Sequence, residues 1–242
     1  MREYLKNLSF HYQGYAPDIY QALMRKESVP DYPCRYPYIC IGDKSYPQSL
    51  YALRYPPFVL YYRGDISLLQ KPKMTITGSR KPSHYACEMT KRLSQHVSQK
   101  CVVLSGFAKG IDTIAHQASL KGDTIAVFAS SLDWIYPLEN KLLHDIMAQE
   151  HLIISEIPEG VSLKPHHFLM RNRLLAALGE ACYVMSAWEK SACLNIVSSA
   201  LEMNKDIYCL PHLLTDRSGE GCNRLIADGA MILTNEDLLF KI

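Results

Sequence analysis

From about residue 73 onward the chain alternates two kinds of hydrophobic pattern. Short, mostly apolar runs start at Lys73 (KMTITG), Cys101 (CVVLSG), Asp123 (DTIAVFA), Leu152 (LIISEI), Ala181 (ACYVM) and Asp206 (DIYCLP). Such runs lack the polar alternation of a half-solvated strand, so they belong in a sheet covered on both faces. Between them apolar residues recur at helical spacing. Ala86, Met89, Leu93 and Val97 form one stripe, Leu138, Leu142, Leu143 and Ile146 a second, and Cys193, Ile196, Val197, Ala200 and Leu201 a third. Repeated strand–helix units of this kind predict an α/β fold built on a doubly wound, mostly parallel sheet.

The upstream pattern is different. Ile19 to Lys26 reads as a short helix, and the segment VPDYPCRYPY that follows carries Pro30, Pro33 and Pro37, which no continuous element accommodates. Residues 1–37 are therefore expected to form a small N-terminal helical cap with a linker, and residues 38–242 the main domain. Within the latter, YICIG, a short helix around Gln48 to Leu53 and PPFVLYYRG are expected to add an edge strand to the sheet.

Composition narrows the class. Hydrophobic residues make up 48% and charged residues 21%, which permits a sizeable core and excludes wholesale disorder. With 26 Lys+Arg against 24 Asp+Glu, the formal net charge of +2 excludes a polycation that coats any nucleic acid, while leaving room for a local basic patch. No apolar run approaches the roughly 18 residues of a membrane helix, and the polar, aromatic start MREYLKNLSFHYQGY has no apolar core of a signal peptide, so a cytoplasmic location is expected. None of the eight cysteines forms a CxxC pair, and several sit in apolar runs, so reduced, buried thiols are expected rather than a zinc site.

Three segments carry candidate chemistry. In TGSR, Gly78 follows the first strong strand, where it permits a sharp turn that brings backbone N–H groups toward an anion, and Arg80 adds a fork suited to phosphate. In SGFAKGIDTIAH, Ser105, Gly106 and Gly110 lie at the carboxyl end of the next strand, where open α/β sheets bind ligands, and Lys109 adds charge. Asp112 reads as a cap or a site residue, and His116 as a packing residue within the following helix. In LKPHHFLMRNR, Lys164, Arg171 and Arg173 surround Phe168, the composition of a groove in which cations track a single strand and a base stacks on the ring. The competing reading is a solvated helix start with Phe168 in the core. Asp133, Glu156 and Glu202 read as caps and ion-pair partners, because no Walker loop, GxSxG or metal-ligand spacing marks a reaction centre.

Taken in order, GSR (78–80), SGFAKGIDTIAH (105–116), LDWIYPLEN (132–140), Ser155–Glu156, LKPHHFLMRNRLLAAL (163–178), the helix Ser191–Glu202 and GCNRLIADGA (221–230) resemble the DNA-processing protein A (DprA/Smf) family. The resemblance implies an extended Rossmann-like fold and a non-enzymatic protein of natural transformation and recombination. Such a protein protects incoming single-stranded DNA, forms a homodimer and helps load the RecA recombinase, with no cofactor. It also implies a DNA groove made by Gly78, Ser79 and Arg80, by Ser105, Gly106 and Lys109, and by Lys164, Phe168, Arg171 and Arg173, with Asn172 bracing the loop. This chain departs from the family pattern at Ala129–Ser131, at Ser191–Ala192 and at Pro211–His212, each a position where the family has glycine. The rival reading is a Rossmann-like nucleotide enzyme such as a nucleotide phosphoribohydrolase.

Overall fold

The structure, a computed structural model, describes residues 1–233. The chain forms α1 (Arg2–His11), α2 (Ala16–Arg25), β1 (Tyr38–Cys40), β2 (Val59–Gly64), β3 (Lys73–Thr77), α3 (His84–Lys100), β4 (Val102–Ser105), α4 (Ile111–Ala118) and β5 (Thr124–Phe128). There follow α5 (Lys141–Glu150), β6 (Leu152–Ser155), α6 (Pro165–Leu178), β7 (Ala181–Val184), α7 (Leu194–Glu202), β8 (Asp206–Cys209), α8 (Glu220–Ala227) and β9 (Met231–Ile232). The six strands expected from apolar runs are β3 to β8.

The strands of the described residues join one sheet in the order β1-β2-β6-β5-β4-β3-β7-β8-β9. Pairing is parallel from β6 through β9, whereas β1 and β2 form an antiparallel hairpin whose inner strand pairs antiparallel with β6. The upstream segment therefore does add to the sheet edge, with two strands. From β3 the chain winds outward through β4, β5 and β6, then returns to place β7 on the other side of β3. The reversal opens a crevice between the carboxyl ends of β3 and β7, the position at which open α/β sheets bind ligands.

Successive residues of the central strands go to opposite faces, and both faces are buried. Val102, Leu104, Ile125 and Val127 pack under α6 and α7 with Leu174, Leu175, Ile196 and Val197. Val103 joins Leu93 and Val97 of α3 and Ile111 and Ala115 of α4 on the other face. α6 lies directly on β3, where the Thr75 hydroxyl donates to the Leu175 carbonyl at 2.8 Å. Leu5, Leu8, Ile19 and Ala22 of the cap bury against Tyr61, Ala126, Phe128 and Ile153 of the sheet, so the cap is braced on the main domain by a shared core.

One expectation needs correcting. The stripe Leu138–Ile146 is not the buried face of a helix: Leu138 and Leu142 are 71% and 74% exposed, and of the four only Leu143 is buried, beside His144 and Met147 of α5. A 3-10 turn at Leu138–Asn140 changes the winding before α5 starts, so the expected phase does not carry through. The short helix expected near Gln48 is a 3-10 helix, Gln48–Ala52. All eight cysteines are free thiols. Among the described residues no helix is long and apolar enough to cross a membrane.

Candidate nucleic-acid interface

The loops that follow β3, β4 and β7 meet at the crevice. Gly110 has φ +80°, and a Cβ there would come within 2.4 Å of the Ser79 carbonyl oxygen, so the loop after β4 can lie against the TGSR turn only with glycine at this position. The Ile111 N–H donates to the same carbonyl at 3.2 Å, and the Ser79 N–H donates to the Ser186 carbonyl beyond β7 at 2.7 Å. Ser79 is buried, and its hydroxyl accepts from the Lys81 N–H at 3.0 Å. These bonds fix the three loops to one another. They also correct one expectation, because the Ser79 N–H is engaged within the protein and does not cradle an anion.

Arg80 projects from this rigid turn. It is exposed, forms no ion pair among the described residues, and its guanidinium lies 5.7 Å from the centre of the Phe168 ring, a cation–π contact. Phe168, in the first turn of α6, is half-buried rather than part of the core, and its ring meets Tyr136 edge-on at 6.4 Å. Together they line the mouth of a groove of about 590 Å³ that runs between the loops after β3 and β7. Four cations line it, Arg80, Lys81, Arg171 and Lys190, against one carboxylate, Asp112, so a nearly neutral protein carries a locally basic crevice.

The floor neutralises its own charge. Arg171 is 8% exposed and donates from Nη1 to the Val127 carbonyl at 3.2 Å and from Nε to the Asn172 amide oxygen at 3.0 Å, so Asn172 braces it. Burial pushes the Asp112 carboxyl up, and the nearby Arg171 guanidinium opposes that shift. Gly106 lies against both groups. Its carbonyl accepts from Nε2 of His116 at 2.6 Å, and burial pulls that imidazole down to about 4, so the ring is neutral and structural. Ser105 is fully buried and donates to the Ile76 carbonyl at 2.6 Å.

The remaining expected residues are dispersed. Lys109 is exposed and ion-paired with Glu139. Lys164 caps α6, donates from its backbone N–H to His167 Nδ1 at 3.3 Å, and reaches from Nζ to the Gln13 amide oxygen of the cap at 2.6 Å. Arg173 is not in the groove. Its Nη2 grips both oxygens of buried Glu156 at 2.5 and 2.6 Å, and it faces a separate cavity of about 480 Å³ beneath the cap. The adjacent histidines do separate work. His167 is buried and held neutral at about 4, while His166 lies edge-on to Tyr15.

Lys81, Lys190 and Trp188 line the groove and were not expected from the sequence. The signal lay in topology: residues just past β7 gain meaning only once β7 is known to sit beside β3.

A model of the family described as DNA recombination-mediator protein A matches residues 37–242. The chain belongs to this family. Among its relatives, the DNA processing protein DprA of Streptococcus pneumoniae is 36% identical over 208 residues, 85% of this chain and 74% of the relative. DprA of Bacillus subtilis is 37% identical over 207 residues, 84% of this chain and 70% of the relative. The X-ray structure of the S. pneumoniae DprA superposes with a TM-score of 0.84 at 30% identity, covering 99% of this chain and 96% of that one. A DprA structure from Helicobacter pylori, described for its single-stranded DNA binding mode, superposes with a TM-score of 0.78 at 32% identity over 85% of this chain and 95% of that one. The extended Rossmann-like fold implied by the motifs is thus the fold of the DprA family. In this chain the Ser130 hydroxyl donates to the Trp134 carbonyl at 2.8 Å, and the His212 ring lies between Asp216 and the Met185 carbonyl.

Proposed function

We propose that this DprA-family protein binds single-stranded DNA in the groove between β3 and β7, and that it acts by binding rather than by turnover. The observation that carries this reading is Arg80, a cation that forms no ion pair among the described residues, held over a half-exposed phenyl ring at the mouth of a basic groove. A phosphate can meet the guanidinium while the neighbouring base stacks on Phe168, the combination by which sequence-tolerant single-strand binders work. The relative from H. pylori, described for its single-stranded DNA binding, supports the choice of ligand. The groove is furnished for holding, since its one carboxylate is buried beside Arg171 and the imidazole below it is neutral.

Within this reading residues 1–37 are a cap on a DNA-binding domain spanning residues 38–242. The protein works in the cytoplasm as a homodimer and passes the strand to the RecA recombinase. The family's description as recombination mediators supports that hand-off. Exposed Leu201, Met231 and Ile232 beside the β9 edge support self-association there. The test is a gel shift with single-stranded and duplex oligonucleotides of equal length at two salt concentrations, together with an assay for base release from nucleoside monophosphates. Preference for the single strand without base release is expected. Equal affinity for both forms, or turnover by the purified protein, overturns the reading.

A further inference from the structure

The loop after β5 presents a second set of exposed rings. Trp134 is 53% exposed and Tyr136 46%, two rings of one loop left open to water. The backbone beneath them is held at several points. The Trp134 N–H donates to the Ser131 carbonyl at 3.2 Å, its carbonyl accepts from the Ser130 hydroxyl at 2.8 Å, and the Asn140 amide donates to Thr113 Oγ1 at 2.8 Å and to the Phe107 carbonyl at 3.2 Å. The rings are therefore outward by construction, on a clamped backbone, and occupying them orders little further chain.

Their position gives the occupant. Tyr136 faces two ways: its ring meets Phe168 edge-on, and it also lines, with Trp134, Lys109 and Lys141, an open trough of about 730 Å³. Arg80, Phe168 and Tyr136 are thus linked by ring contacts, and Trp134 lines the same trough as Tyr136. Charge along the trough cancels, Lys109 and Lys141 against Asp133 and Glu139, with Lys109 paired to Glu139. Affinity there comes from stacking rather than from phosphate contacts.

We infer that Trp134 is an additional base-stacking residue of this protein, extending the single-strand path from the Phe168 groove over Tyr136 into the trough after β5. The inference rests on the single-stranded DNA reading above and makes a separate demand. A short strand fills the Arg80–Phe168 groove alone, whereas a longer one also covers Trp134.

The experiment compares the intact protein with Trp134→Ala and Trp134→Phe on dT oligonucleotides of about six and about twenty-four nucleotides, at two salt concentrations, with melting temperature measured alongside. Trp134→Ala should weaken the long oligonucleotide on the order of tenfold, leave the short one within twofold, and leave the salt slope unchanged, because no counterion is released by stacking. Trp134→Phe should recover most of the loss. In a Trp188→Phe background, which leaves Trp134 as the one tryptophan, the long strand should quench its fluorescence more than the short strand does. If the unmodified protein binds both lengths and Arg80→Ala weakens both, while Trp134→Ala changes neither, the inference fails, the single-strand reading stands, and the exposed patch belongs to a protein partner. If the unmodified protein binds neither length, both readings fall together.

Discussion

The groove between β3 and β7 and the cavity beneath the cap are both built around arginines near α6, and they treat those arginines in opposite ways. In the cap cavity Arg173 is held by both oxygens of Glu156, a carboxylate only 5% exposed, so the cation is spent on folding. In the groove the buried Arg171 sits beside Asp112, but Arg80, Lys81 and Lys190 form no ion pair among the described residues. The difference teaches that basic residues mark a binding surface only where the fold withholds the counter-charge. The segment Leu163–Arg173 holds Lys164, Arg171 and Arg173 within eleven positions, yet Lys164 goes to the cap, Arg171 to the floor and Arg173 to Glu156.

The strongest way to break this comparison is Arg173→Ala. It leaves the Glu156 carboxylate buried without its partner and should lower stability by roughly 3–5 kcal/mol, read from the denaturant midpoint. The surviving folded protein should bind single-stranded DNA as before. A large loss of affinity with intact stability would put Arg173 back in the groove.

The floor of the groove gives the next effect, through pH. His116 is pulled from its ordinary 6.5 to about 4 in the folded protein. Between those values the unfolded chain binds a proton that the folded chain refuses, so this contribution to stability is fully present above about 6.5 and is lost as pH falls toward 4. The loss should reach on the order of 3 kcal/mol. His116→Gln should flatten stability over that window, even if it lowers stability at neutral pH. An unchanged pH profile in the variant would contradict the assignment.

Arg80→Ala is the direct probe of the unpaired cation. It should leave melting unchanged, since the side chain is exposed, and weaken single-strand binding by roughly 1.5–3 kcal/mol. Phe168→Ala should weaken binding by about 1–3 kcal/mol through lost stacking, with the salt slope intact. Because the ring is half-buried, its stability loss should fall short of the roughly 3–5 kcal/mol that a core phenylalanine costs. A full core-sized loss would return Phe168 to the competing reading of that segment.

How much of this was legible beforehand varied with the range of the interactions. The strands of the parallel sheet were readable because burial on both faces leaves an apolar run, as in Val102–Leu104 and Ile125–Phe128. A strand end and an adjacent helix start carry the local signatures of Arg80, Phe168 and Arg171, and the structure brings the three to one groove. α1 carries no apolar stripe to announce it: its buried face mixes Lys6 and Ser9 with Leu5 and Leu8. The fate of Arg173 depended on Glu156, seventeen residues earlier and on the far side of a loop, and the sequence marks no such pairing. Trp188 and Lys190 became groove residues only through the placement of β7 beside β3, a long-range choice that local pattern does not encode.

The measurement that bears most directly on the account is the salt dependence of single-stranded DNA affinity for the unmodified protein and for Arg80→Ala, side by side. If Arg80 is the unpaired cation that grips a phosphate, the variant binds more weakly and its logarithmic salt slope is shallower by about 0.7, one single-strand phosphate contact's worth of released counterion. Two coincident lines would show that the TGSR turn only turns the chain, and that the strand is held elsewhere.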